Sequence, residues 1–148
     1  MPYTLPNALS FSPWISKARF LETRLSEPSF RQPGLYLLAH FATPPEGPAQ
    51  LDIPEIIYVG ETTKQTIGIR LDQFFTSADK QKSGHSGGWT YLRLSTGSKL
   101  PTGDLHISIL PVARDVAEHS GFLIKHIERA IIWNIIEKLG VPPVCNSI

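Results

Sequence analysis

Cysteine is almost absent from this chain, with one residue, Cys145, among 148. A lone thiol forms no internal disulfide and supplies no multi-thiolate zinc site, so neither covalent staples nor structural zinc are implied, and Cys145 reads as a small apolar residue. Long hydrophobic runs are missing too. No apolar stretch approaches the roughly 18 residues that span a bilayer, and MPYTLPNALSFSPW lacks a basic stretch followed by an apolar block. The expectation is a soluble, cytoplasmic chain with no membrane partner. Nor is there an excess of one charge: the net charge is +1, so composition alone does not mark a nucleic-acid binder. A nearly neutral protein that engages phosphates must gather its cations on one face or draw affinity from another subunit. Arg70, Lys64, Lys80, Lys82, Arg93 and Lys99 do fall in one central stretch, a bias that an ordinary solvated surface would also produce.

What is present suffices for one core and one domain over 1–148, with 41% hydrophobic residues. A helical extension is expected over about 1–32, where Trp14, Ile15, Ala18, Phe20, Leu21 and Leu25 recur at helical spacing after Ser12 as cap and Pro13 at the first helical position. GLYLLAHF and EIIYVGE read as neighbouring strands, and the Pro-rich stretch 42–54 between them can continue neither strand nor helix. From Thr62 the period changes: Ile67, Ile69, Leu71, Phe74 and Phe75 suit an amphipathic helix carrying Arg70. DKQKSGHSGG is polar and glycine-rich, and WTYLRLS fits a helical turn or a strand equally. LHISILPV alternates like a third strand ended by Pro111, and a long helix runs from about Gly121 to Leu139, stopped by Gly140, Pro142 and Pro143. The order suggests an α/β chain of the α+β type, a small sheet covered by helices.

Several residues could carry chemistry. Tyr36 and Tyr58 each sit in an aliphatic strand beside a glycine or small residue, and paired strands could bring both phenols to one surface. A strand tyrosine is by default structural, with its ring in the core and hydroxyl at the rim. A phenol beside a cation that lowers its pKa can instead orient or deprotonate water. Glu128 lies in HIERAIIW, among residues expected to face the core, where a carboxylate is costly unless paired or bound to a hard cation. A salt-bridged surface glutamate is the plainer reading. Arg70, by default exposed, could clamp a phosphate.

Taken in order, Gly34-Leu35-Tyr36, Tyr58-Val59-Gly60-Glu61-Thr62, Arg70 in a following helix, Glu128 in a late helix and Asn146 in a closing Pro-Val-Cys-Asn resemble the GIY-YIG nuclease family. The resemblance covers roughly Pro33 to Asn146. It implies a three-stranded antiparallel sheet flanked by helices, and hydrolysis of DNA by in-line attack of water with one divalent metal. On this sequence it implies Tyr36 as general base or water-positioning phenol, Tyr58 supporting nucleophile and phosphate, Arg70 on the scissile phosphate, Glu128 on the metal and Asn146 bracing the site. Mg2+ or Mn2+ suits a single carboxylate with otherwise neutral ligands.

The pattern departs at one position. Many members carry histidine or tyrosine four residues after the arginine, where this chain has Phe74, and His85 in His85-Ser86-Gly87-Gly88 is the candidate substitute. A loop histidine is ordinarily only solvated. Two further readings stand beside the endonuclease: a nucleic-acid-binding module on the same scaffold that has lost turnover, and an interaction domain in which these residues merely pack. A nuclease that cuts both strands would gain from a homodimer with two sites.

Overall fold

The computed structural model describes residues 10–80, 84–95, 100–112 and 119–146. Gly34–Phe41 (β2) is buried at every position, which explains why it reads as a continuous apolar run rather than an alternating one. It lies between Ile56–Thr62 (β3) and Asp104–Pro111 (β4), antiparallel to both. Leu35, Leu37, Ala39 and Phe41 pack with Ile124, Ile127, Ile131 and Ile135 of the long helix Ser120–Leu139 (α4). Tyr36 and Leu38 point the other way, against Ile67, Leu71 and Phe74 of the helix Ile67–Lys80 (α2). The ambiguous segment resolves as a third layer element, the helix Ser86–Ser95 (α3), packed on α2.

With Ile15–Ser16 (β1) the sheet has four strands, ordered β1-β4-β2-β3, against the three that the sequence suggests. The added strand pairs with Ile107 and His106 of β4. It occupies sequence expected to be helical. Ser12 does not cap a helix; its hydroxyl accepts from the Ile109 amide, and its own amide donates to the Ile109 carbonyl. Trp14 is drawn into the core edge-on to Phe41, 5.1 Å between ring centres. The helix that follows, Lys17–Thr23 (α1), starts later and is capped by Ser16, whose hydroxyl accepts from the Arg19 amide at 3.1 Å. Edge pairing and burial of one large ring outweigh the helical period of a short segment.

The long helix matches its expected span, with Gly140 in the left-handed conformation (φ 84°) closing it. The Pro-rich stretch does not stand out from the body: Leu51 and Ile53 pack on the α4 side of the core, and Asp52 pairs with Lys138 at 3.1 Å. Among the described residues no helix is long and apolar enough to cross a membrane. Of the central basic stretch, Lys82 and Lys99 fall outside the described residues.

Candidate active site at the edge of the sheet

The register sets Tyr36 opposite Gly60 across the β2–β3 pair. A Cβ on Gly60 would fall 2.3 Å from the Tyr36 ring, so the glycine of Tyr58-Val59-Gly60 leaves the space that ring fills. Gly87 does the same for Tyr58, whose ring would lie 2.7 Å from an added Cβ, and an added Cβ on Gly88 would strike the Phe74 carbonyl at 2.5 Å. The pair of glycines after His85 therefore lets α3 close on both α2 and the tyrosines.

This closure brings His85 to Tyr36, with Nε2 2.7 Å from the phenol oxygen. The His85 amide donates to Ser77 Oγ at 3.1 Å, and its Nδ1 accepts from the Gly88 amide at 3.3 Å, at the start of α3. With Nδ1 an acceptor, the neutral ring carries its proton on Nε2 and donates it to Tyr36. Burial, and then the Arg70 guanidinium, push the imidazole down to about 3, so it is neutral at ordinary pH. Proton donation thus runs from Gly88 to His85 and from His85 to Tyr36. The Tyr36 and Tyr58 rings lie 6.1 Å apart and tilted, and burial raises the Tyr58 phenol to about 12 against the pull of Arg70. Tyr36 has no exposed surface and burial holds its pKa well above the usual phenol range, whereas Tyr58 is half-buried and lies nearer to solvent.

Arg70 is half-buried on α2, its Nη1 donating to Gln73 Oε1 at 2.7 Å and to the Gly84 carbonyl at 2.8 Å. It lines a shallow cleft of about 420 Å³ with Glu61, Thr62, Thr63 and Gln65. Asn146 spans the outer edge of β3: its Oδ1 accepts from the Val59 amide at 2.8 Å and its Nδ2 donates to the Val59 carbonyl at 2.9 Å. It satisfies backbone groups that an edge strand would otherwise leave open. Phe74 has no exposed surface and stands edge-on to His85 at 5.1 Å and tilted to Tyr58 at 5.7 Å. It packs the site; the polar contact with Tyr36 comes from His85.

Glu128 is half-buried on α4, on the opposite face of the sheet from Tyr58. Its carboxyl is raised to about 7, by burial first and then by Glu61, against the pull of Arg129 and Lys125. Glu61 had no assigned role in the sequence reading, although strand alternation from Val59 already aims it at the α4 side. Its Oε2 is shielded from solvent and has no hydrogen-bond partner. Among the described residues no group of three or more His, Cys, Asp or Glu could hold a metal ion. Two carboxylates within electrostatic reach, one with an unsatisfied buried oxygen, do suit a hard divalent cation that keeps most of its sites for water and phosphate. No family model, curated protein or solved structure matches this chain.

Proposed function

We propose that the chain is a metal-dependent endonuclease that hydrolyses a phosphodiester bond of DNA at the β3 edge. The observation that carries this reading is the one-way hydrogen-bond chain from the Gly88 amide through His85 to Tyr36, beside Tyr58 and within electrostatic reach of Arg70. A packing role for the tyrosines requires no such direction. In this reading Tyr58, protonated because burial raises it to about 12, orients the attacking water by accepting a hydrogen bond from it, since Tyr36 has no surface to offer. The water's proton leaves to solvent. The Tyr36 ring packs beside Tyr58 and fixes its position, and His85 holds Tyr36 in place by its hydrogen bond. Arg70, already tied to the Gly84 carbonyl and Gln73, presents its remaining N–H groups to the phosphate and offsets charge that grows as water attacks in line. Glu128, with Glu61 beside it, would hold Mg2+ or Mn2+, which when bound supplies positive charge to the phosphate and to the departing 3' oxygen. Asn146 keeps β3 from fraying and so keeps Tyr58 in register.

The test is cleavage of supercoiled plasmid and of a branched synthetic DNA with Mg2+, Mn2+ or EDTA, beside Tyr58→Phe and Glu128→Gln. Metal-dependent nicking absent from both variants is the expected result. Binding of DNA without cleavage under any condition would shift the reading to a nucleic-acid-binding module, the alternative that Phe74 first raised.

A further inference from the structure

The outward face of α4 carries a pattern that the core does not require. Phe122, Lys125, Arg129 and Trp133 follow at spacings of three, four and four, which puts them on one narrow stripe roughly 16 Å long. Phe122 is 77% exposed and Trp133 42%, and Lys125 and Arg129 between them are exposed as well. Elsewhere on the surface Lys17, Arg19, Arg24 and Lys138 each hold a carboxylate. Lys125 and Arg129 belong to no ion pair among the described residues, yet both act on the Glu128 carboxyl, so the middle of the stripe adjoins the site. The exposed Glu137, one turn beyond Trp133, ends it.

An exposed aromatic pair invites a second copy of the chain, but the order of the stripe opposes that. In a two-fold antiparallel pairing of α4 with itself, Phe122 would meet the other copy's Trp133, and Lys125 would meet its Arg129, setting like charges together at the centre. An anionic strand meets the same pattern with complementary charge. Two flat rings separated by two cations suit a polymer that has both exposed π-faces and phosphates.

We infer that the α4 stripe binds an unpaired strand of nucleic acid, Phe122 and Trp133 stacking on bases while Lys125 and Arg129 hold the intervening phosphates. The inference rests on the nuclease reading for the choice of nucleic acid as the anion, and it makes the substrate class DNA with an unpaired stretch beside the cut.

The experiment is fluorescence anisotropy of labelled oligo-dT and of a labelled duplex with the full chain in EDTA, at several salt concentrations, together with sedimentation of each variant. Phe122→Ala and Trp133→Ala should each weaken oligo-dT binding about tenfold and duplex binding much less. The Lys125→Ala, Arg129→Ala double variant should weaken both and flatten the salt slope for the single strand by about 1.4. These are surface positions, so thermal unfolding should match the parent. Failure of the parent to bind oligo-dT at low salt, or unaltered binding by both aromatic variants, overturns the inference. So does a parent dimer that Trp133→Ala converts to a monomer, which gives the stripe to a second copy. Strand binding as expected with no cleavage under any metal would overturn the nuclease reading and leave the stripe standing; cleavage indifferent to the stripe would do the reverse.

Discussion

Two histidine–tyrosine pairs lie on the same face of the sheet, built on Tyr36 and His40 of β2, and they are wired in opposite directions. His40 Nδ1 faces the Gly103 carbonyl at 3.0 Å, so it must carry the proton and donate it there, leaving Nε2 to accept from the Tyr91 hydroxyl at 3.1 Å. That chain runs inward and stops at the backbone. At the other end of β2, His85 accepts from backbone and donates to Tyr36, so the chain runs away from the backbone to a phenol whose ring lies 6.1 Å from that of the half-buried Tyr58. Phe74 packs against members of both pairs, its ring 5.1 Å from that of His85 and 5.7 Å from that of Tyr91. The same two residue types therefore make a brace in one place and a candidate relay in the other. What differs is which ring nitrogen meets the backbone, together with the Arg70, Glu61 and Glu128 charges around the second pair.

The comparison breaks most sharply in activity. Tyr58→Phe and Glu128→Gln should each lower the rate of plasmid nicking about 10³-fold, while Tyr91→Phe should leave it unchanged. Equal losses for Tyr58→Phe and Tyr91→Phe would mean that direction does not matter. Next comes the histidine swap: His85→Leu should cost about 10²-fold in nicking rate. His85→Gln, which retains a donor N–H, should recover part of that, and His40→Leu should cost stability alone, about 1–3 kcal/mol by denaturant titration.

A smaller effect appears as pH dependence in EDTA. The folded Glu128 carboxyl, raised to about 7 from 4.5, binds its proton more tightly than in the unfolded chain. Its contribution is therefore most favourable at or below pH 4.5 and is lost as pH rises towards 7. His85, held down to about 3 from 6.5, acts in the opposite sense, stabilising the fold as pH rises from 3 to 6.5. Subtracting the melting curve of Glu128→Gln from that of the parent cancels the histidine, and the parent should lose ground to the variant as pH climbs between 4.5 and 7. A flat difference would remove Glu128 from the half-buried carboxylate pair. The mildest change is Asn146→Ala, which removes two hydrogen bonds to Val59 and should cost about 1–2 kcal/mol with faster amide exchange confined to the β3 edge.

How much of this was legible in the sequence depended on range. The strand GLYLLAHF, the α2 period and the end of α4 at Gly140 are local patterns, visible because helix and strand periods act over neighbouring residues. Ser12 misled because it is a good cap by type, while its actual partners are Ile109 and Ser108 on another strand. Glu61 was passed over because nothing beside it in the chain reveals that Glu128 raises its importance from a different helix.

By itself the sequence determined most of the elements and the set of polar residues able to carry chemistry, since composition and periodicity are properties of short stretches. Only the tertiary structure decided that Ile15–Ser16 becomes a fourth strand, that His85 rather than residue 74 reaches Tyr36, and that the hydrogen-bond chain runs from backbone to the Tyr36 phenol. The physical reason is that hydrogen-bond direction and desolvation are set by which groups meet across the sheet and between helices, and those meetings follow from packing rather than from neighbours in the chain.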